Sequence, residues 1–577
     1  MQNSILSNSS ESRIIGRMKH NYTSITQPLI ERAVKHPDHT SIIFIEQDSA
    51  KLISASQFNQ RAYQHALALE SIGIVRGDLI ILVLQHSEEL LSAFWGALYL
   101  GAIPSIFPFL TEKLDPPLYL DRVEKLTSHS GAKAIITYPE FKGQLTILLS
   151  GLDCEILSTD EVPNISDADY SHIDADARSS EDIAFLQHSS GTTGLQKGVA
   201  LSHRAVINQI TSYSQAINLS HDDIIASWLP LYHDMGLIAG FVMPLVTGIP
   251  LVLMSPFEWV RKPYMLLQVI DKYKATLCWL PNFAFNLIAR TARPQFLEGV
   301  DLRHWRAAIN CSEPILAESH TAMLDKLSPY GFSKTSLATC YAMAENTFAV
   351  TQSPIGKNPN IDHIDLSALQ KDRKAIPALE GQTAVKMVSC GIPIPGTKLR
   401  IMNNGNILAE REIGEIAIRS NSMLEGYHRR PTLTADAFQD GWYLTGDMGY
   451  LADGELYITG RKKDLIIVGG KNIYPQDLES IANRVEGIYP GRAVAFGIID
   501  NRMGTEGVVM VCELKTNADD EMQYQIEHEL RAQIAKSTEI ALSDIRLVEQ
   551  RWVIKTSSGK IARGDNRDKY LKQFRNS

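Results

Sequence analysis

Ser189 to Gly198 read SSGTTGLQKG, between the apolar, β-rich runs IAFLQH before it and VAL after it. Three glycines, four hydroxyl side chains and one lysine make a loop suited to wrapping phosphates. Glycine lets backbone N–H groups approach an anion, the hydroxyls donate hydrogen bonds, and the lysine adds a point charge. It is not a Walker A loop, because no G-x-x-x-x-G-K-[ST] occurs and no helical pattern follows directly. Alone, the run fits a flexible turn equally well, so its surroundings decide.

Outward from the loop, the first half of the chain alternates strands and helices. Ser41–Glu46 reads as a strand and Ser56–Ser71 has helical spacing of Phe58, Ala62, Ala66 and Leu69. Asp78 to Leu84, DLIILVL, is a continuous apolar run, as expected of a strand buried on both faces. Ser87 fits an N-cap, with Glu88 and Glu89 in the first turn of a helix running to Gly101. Short strands follow at 102–107, 134–137, 183–186, 224–228, 251–254 and 275–279. This alternation predicts parallel sheets in an α/β domain.

From about Lys386 the texture changes to short strands with close turns at Asn404–Gly405 and Asp453–Gly454, a β-rich, barrel-like subdomain over 387–460. After Gly460 a compact α+β module begins, with strands LIIVGG, AVAFGIID and GVVMVCELK and helices at 475–483 and 519–536. Its charged junction, Arg461–Asp464, has the character of a hinge. The expected organisation is a loosely ordered arm over 1–21, a large domain over 22–462 and a mobile C-terminal domain over 463–577.

The chain has 577 residues, 44% hydrophobic and 21% charged, with a net charge of −9. That is globular composition, and it carries no nucleic-acid footprint. Six scattered cysteines form no C-x-x-C, which argues against a zinc site and suits a reducing, cytoplasmic compartment. The N-terminal 21 residues have no apolar core of the kind a signal peptide needs. Gly236–Met254 carries no charge, but Pro244, Gly248 and Pro250 break it into a short helix, a turn and a strand, so a buried unit is expected rather than membrane insertion.

Further segments accompany the loop: WLPLYHDMGL at 228–237, NCSEP at 310–314, TCYAMAENTFAV at 339–350, YLTGDMGYL at 443–451, GRKKDLIIVGGKNIYPQDLE at 460–479 and KTSSGKIAR at 555–563. In this order they resemble the adenylate-forming superfamily of acyl-CoA synthetases, luciferases and peptide-synthetase adenylation domains, over nearly the whole chain. The resemblance implies two parallel-sheet α/β subdomains and a β-barrel-like subdomain, followed by a small mobile α+β domain. It also implies ATP and Mg²⁺ as cofactors.

The resemblance assigns roles residue by residue. Ser189, Ser190, Gly191, Thr192, Thr193, Gly194 and Lys197 would hold the leaving pyrophosphate. Glu345, with Thr193, would hold Mg²⁺, a hard cation suited to oxygen ligands. Tyr341 would stack on adenine, with Ser312, Glu313 and Pro314 along the base and Ala342 beside the nucleotide; a core aromatic is the plain alternative for Tyr341. Asp447, in a TGD turn, would accept from the ribose hydroxyls, as an acceptor-only carboxylate can, and Arg461 would reach ribose or phosphate. Lys560 would contact the α-phosphate and the substrate carboxylate, and Lys463 would be the pivot of the C-terminal domain. His233, Asp234, Met235 and Gly236 would border the acyl substrate, and the apolar residues of 236–245 and 279–285 suit an acyl tunnel or plain core.

The family pattern is not kept everywhere. Ala344 stands where a hydroxyl is common, Gln196 and Ile554 stand where proline is common, and Cys311–Ser312 replace Gly-Ala. The W-L-P-x-Y-H-D-M-G-L run, the A-x-A-E core and the K-D-L-I-I to P-Q-D-L-E run resemble the fatty acyl-AMP ligase branch, which passes the acyl group to the phosphopantetheine thiol of an acyl carrier protein. Residues 351–386 exceed an ordinary connection and stand where that branch carries an insertion that disfavours the orientation used for CoA transfer. A mobile surface excursion is the alternative. The expected activity is therefore fatty acid activation by ATP and transfer to a separate carrier protein. An acyl-CoA synthetase is the runner-up; an amino-acid-activating enzyme, suggested by Asp234, and a non-catalytic nucleotide-binding module fit less well.

Overall fold

The computed structural model describes residues 22–46, 49–111, 116–164, 173–174, 178–189, 197–468, 471–500, 505–516, 518–538, 541–556 and 559–575. The expected arm over 1–21 lies outside them. The largest sheet has nine strands, in the order Ile392–Pro393, Ala349–Gln352, Leu337–Ala342, Ala307–Asn310, Leu277–Leu280, Ile225–Ser227, Leu251–Met254, Thr40–Glu46, Ser49–Ser54. From Leu337–Ala342 to Thr40–Glu46 its neighbours pair in parallel, and the flanking strands are antiparallel. A second sheet is parallel throughout, in the order Ile103–Ile106, Leu79–Val83, Ala134–Thr137, Glu155–Ser158. The α/β expectation therefore holds for both sheets.

Local chemistry explains the elements. Leu79–Val83 is buried at every position, which is why its sequence does not alternate. The Ser87 side chain accepts the N–H of Leu90, Glu88 and Glu89 occupy the first turn, and left-handed Gly101 (φ +79°) ends the helix Glu88–Leu100. The uncharged 236–254 stretch is interior: a π-helical segment Met235–Val242, a helix Met243–Thr247, left-handed Gly248 and the strand Leu251–Met254. Among the described residues no helix is long and apolar enough to cross a membrane.

One partly buried ion pair joins the entries of three central strands. Asp223 accepts from Arg306 Nε and Nη2, both at 2.7 Å, from the Thr276 hydroxyl at 2.6 Å and from the Ser220 N–H at 2.8 Å. Burial acts to raise its carboxyl, but Arg306 and Thr276 prevail and hold it below the ordinary value. This stabilisation is therefore present above the unfolded aspartate pKa of about 3.9 and is lost as pH falls below it. Arg306→Lys keeps the charge but loses the forked geometry, and is expected to cost about 1–2 kcal/mol, read from urea unfolding at neutral pH.

The β-rich part is an antiparallel sheet built on Thr397–Asn403, Gly414–Ser420, Trp442–Ala452 and Glu455–Arg461. Its hairpins turn at Asn404–Gly405 and Asp453–Gly454, all four with positive φ. Here one expectation is corrected. Thr445–Gly446–Asp447 is not a turn; it lies inside the long strand Trp442–Ala452. Left-handed Gly446 (φ +73°) falls at a register shift against Gly414–Ser420, so the bulge, not a reversal, accounts for the glycine.

Residues 351–386 carry secondary structure and packing of their own. Ile361–Asp365 pairs antiparallel with Ala384–Val388, and Ile364, Leu369 and Ala375 share a core with Tyr450, Tyr457 and Tyr474. Beyond them, Ile488–Asp500, Thr505–Leu514 and Leu542–Val548 form a three-stranded sheet. With the helices Pro475–Ala482 and Asp520–Thr538, that sheet encloses its own apolar core.

Candidate active site

Parallel strands of the nine-stranded sheet deliver the candidate residues at their carboxyl ends. Ala307–Asn310 leads into Ser312, Glu313 and Pro314; Leu337–Ala342 ends on Tyr341 and Ala342; Ile225–Ser227 leads towards His233 and Asp234. The ends of parallel strands are where open α/β sheets take their ligands.

The phosphate-loop candidate joins Ile183–Ser189 to Lys197–Ser202, with Ser189 opposite Lys197 in register. Ser190, Gly191, Thr192, Thr193 and Gly194 lie outside the described residues. The Lys197 ammonium stands 4.8 Å from the centre of the Tyr427 ring. The Tyr427 hydroxyl donates to Glu345 Oε1 at 2.9 Å and lies 2.9 Å from the Tyr443 hydroxyl. Burial pushes the Glu345 carboxyl above its ordinary value, while Tyr427 and Lys197 pull it down. A buried carboxylate held by a neutral donor fits a hard cation that would relieve its desolvation. Among the described residues no cluster of three His, Cys, Asp or Glu side chains could hold a metal by itself.

A second group centres on Asp447. The Tyr341 hydroxyl donates to its Oδ2 at 2.7 Å and Arg461 Nε to its Oδ1 at 3.1 Å. Arg461 is its register partner on the neighbouring strand. Burial first, and Asp447 second, push the Tyr341 phenol well above its ordinary value, and Asp447 raises Arg461.

The third group spans both parts of the chain. His233 Nδ1 lies 2.5 Å from Asp234 Oδ1, which also accepts the Met235 N–H at 2.8 Å. Burial opposes ionisation of Asp234, but His233 and then Lys560 hold its carboxyl below the usual range. Burial raises Glu313, against the pull of Lys560, Lys555 and His233, and Glu313 Oε2 accepts the Phe283 N–H at 2.9 Å. The charge of Lys560, from the last part of the chain, thus acts on both carboxyls. Ser312 adopts φ +71°, with its Oγ 3.7 Å from Met235 Sδ. A Cβ on Gly236 would meet the Pro230 carbonyl at 2.2 Å, so only glycine fits there. Lys463 lies in the turn Lys462–Asp464, directly after Arg461. Pro314 is exposed. Tyr427 carried no sequence signal: a Gly-Tyr pair in a short strand has no chemistry of its own until the fold sets it beside Glu345, and Tyr443 stood in the YLTGDMGYL run without an assigned role.

The sequence profile of the AMP-binding enzymes matches residues 29–428. The chain is 31% identical, over 90% of its own length and 90% of the relative's, to the medium-chain-fatty-acid–[acyl-carrier-protein] ligase JamA of Moorena producens. It is 30% identical, over 95% of its length and 97% of the relative's, to the long-chain-fatty-acid–AMP ligase FadD26 of Mycobacterium bovis. Among solved structures, a fatty acyl-adenylate ligase from work on the E. coli and L. pneumophila enzymes superposes with a TM-score of 0.87 at 28% identity, over 96% of this chain and 98% of that one.

Proposed function

The chain belongs to the AMP-binding enzyme family, and on that premise we propose that it is a fatty acyl-AMP ligase that charges a separate acyl carrier protein. In the first step a carboxylate oxygen of the fatty acid attacks the α-phosphorus of ATP, the bond to the bridging oxygen breaks, and pyrophosphate leaves. In the second the phosphopantetheine thiolate attacks the acyl carbon of the adenylate and AMP departs. Two anions must meet in the first step, so the site has to supply fixed positive charge and donors. The observation that carries this reading is the Tyr341–Asp447–Arg461 group, whose strand also bears the Tyr443 hydroxyl beside Tyr427 and Glu345, with the Lys560 charge lowering the carboxyls of Asp234 and Glu313.

In this reading Lys560 neutralises the carboxylate and the α-phosphate as they meet. Lys197 and the 189–194 loop receive the pyrophosphate. Asp447 exchanges its Tyr341 and Arg461 contacts for ribose hydroxyls, and the Tyr341 ring, freed of that bond, covers the adenine beside Ser312–Pro314 and Ala342. Glu345, with Thr193, would hold Mg²⁺, which screens the phosphate charges when bound. His233 orients Asp234 and borders the acyl carboxylate; neither step needs it as a base. Asp234 Oδ1 faces both His233 and the Met235 N–H.

Transfer to a carrier protein, and not to CoA, is supported by the 351–386 segment. Arg373 Nη2 donates to Asn472 Oδ1 at 3.0 Å, and Asn472 Nδ2 donates to the Gln370 carbonyl at 3.0 Å. These bonds bind the insertion to residues 471–473, beyond the pivot at Lys463, and restrain rotation of the 463–577 domain. ATP supply and the free state of all six cysteines suit a cytoplasmic setting.

The test is pyrophosphate release from ATP and Mg²⁺ with medium- and long-chain fatty acids, repeated with a chelator. Release that needs both acid and Mg²⁺, with acyl-AMP as product, is expected. Release driven by amino acids alone, or none, contradicts the reading.

A further inference from the structure

The hairpin that carries Lys560 is anchored by contacts the chemistry above does not use. At its root the Ala562 N–H donates to the Ile554 carbonyl at 3.1 Å, and the interior Asn566 amide bonds the Ile554 N–H, the Ile554 carbonyl and the Ala562 carbonyl. Nearer the tip the Thr556 N–H donates to the Lys560 carbonyl at 2.7 Å, and the Lys560 N–H to Thr556 Oγ1 at 3.2 Å. Left-handed Gly559 (φ +83°) permits the reversal. These bonds join the described residues on its two sides, and where Lys560 stands depends on what its base is tied to.

Arg563, the next charged residue, makes that tie. Its Nε and Nη2 donate to the Glu479 carboxylate at 3.0 and 2.6 Å, and its Nη1 donates to Asp464 at 2.8 Å. Glu479 is buried on the helix Pro475–Ala482 and also accepts the Ala495 N–H at 3.0 Å. Asp464 closes the turn Lys462–Asp464, one residue after the proposed pivot. One planar guanidinium thus serves two carboxylates from different elements, in a geometry that a single ammonium cannot reproduce.

We propose that Arg563 is a positioning residue for adenylation: by clamping Asp464 to Glu479 it joins the hinge turn and the Lys560 hairpin into one lever. The backbone orientation set at Lys463 then fixes where the Lys560 ammonium stands. Without the clamp the hairpin moves relative to the hinge and the ammonium misses the reacting phosphate for part of the time. The inference rests on the acyl-AMP reading, and on Lys560 acting in its first step.

The test is a set of full-length variants assayed for acyl-AMP formation from ATP, Mg²⁺ and a fatty acid that the wild type accepts. Arg563→Gln and Asp464→Asn are each expected to lower kcat about tenfold, as a misplacement of a fraction of an ångström would, with KM for ATP within about twofold of wild type. Arg563→Lys is expected to recover part of the loss. In a Lys560→Ala background neither substitution is expected to cost anything further, because the group being positioned is gone. A merely structural role predicts losses that multiply with Lys560→Ala. That outcome, or wild-type rates in Arg563→Gln and Asp464→Asn, overturns the proposal. If Arg563→Gln does not fold, Asp464→Asn decides alone, since it leaves the buried Glu479 pair in place. A wild type that forms no fatty acyl-AMP overturns the functional reading itself, and the lever with it.

Discussion

Lys560→Ala is expected to slow acyl-adenylate formation by about 10²–10³-fold, the usual cost of removing one charge-stabilising donor from a transition state. The loss should appear in kcat, because the lysine meets negative charge that gathers as carboxylate and phosphate approach. KM for ATP should change little, since Lys197, Asp447 and Arg461 hold the nucleotide independently in this account. Folding should be unaffected, because the Lys560 side chain makes none of the bonds with which Asn566 and Arg563 hold the root of its hairpin. Consumption of supplied acyl-AMP by a holo carrier protein should proceed at near wild-type rate, since the second step places no new charge at the phosphate that Lys560 must meet. Measuring the two half-reactions separately checks this, and equal losses in both would remove Lys560 from its assigned role.

Asn472→Ala is expected to raise acyl-CoA formation by roughly 30-fold. The substitution removes the bonds to Arg373 and to the Gln370 carbonyl. At about 1 kcal/mol each they hold the C-terminal domain against rotation by about 2 kcal/mol, a factor of roughly 30 in the orientation equilibrium. Arg373→Ala removes one bond and should give the smaller step. Adenylation should stay within about twofold, because neither bond involves Lys560, Glu345 or Asp447. Acyl-CoA release, followed by mass spectrometry, checks both variants. If neither gains CoA activity, the 351–386 segment does not restrain the domain.

Much of the fold is legible in the sequence. A strand buried on both faces must be apolar throughout, and the run after Asp78 in DLIILVL is. Helix ends are written in side-chain chemistry, so Ser87 and Gly101 marked theirs. The parallel sheets followed from the alternation. Legibility failed where a residue's meaning depends on a distant partner. Thr445–Gly446–Asp447 has turn composition, but Gly414–Ser420 and Glu455–Arg461 pair on either side and hold it as a bulged strand. Tyr427 gains its significance only because Gly426–Tyr427 pairs with Val199–Ala200 and so reaches Glu345. Arg563 meets Glu479 and Asp464 across 84 and 99 residues, a separation no local pattern can encode. The 351–386 segment was noticed for its length, and its hairpin and shared core emerged only with its partners in place.

The central claim is that this enzyme makes a fatty acyl-adenylate and withholds it from CoA. The most direct measurement incubates the purified protein with ATP, Mg²⁺ and a panel of medium- to long-chain fatty acids, adds CoA or a holo acyl carrier protein, and follows products by mass spectrometry. The account predicts acyl-AMP that persists with CoA and is consumed by the carrier protein. Rapid conversion to acyl-CoA by the wild type would contradict it and make the chain an acyl-CoA synthetase.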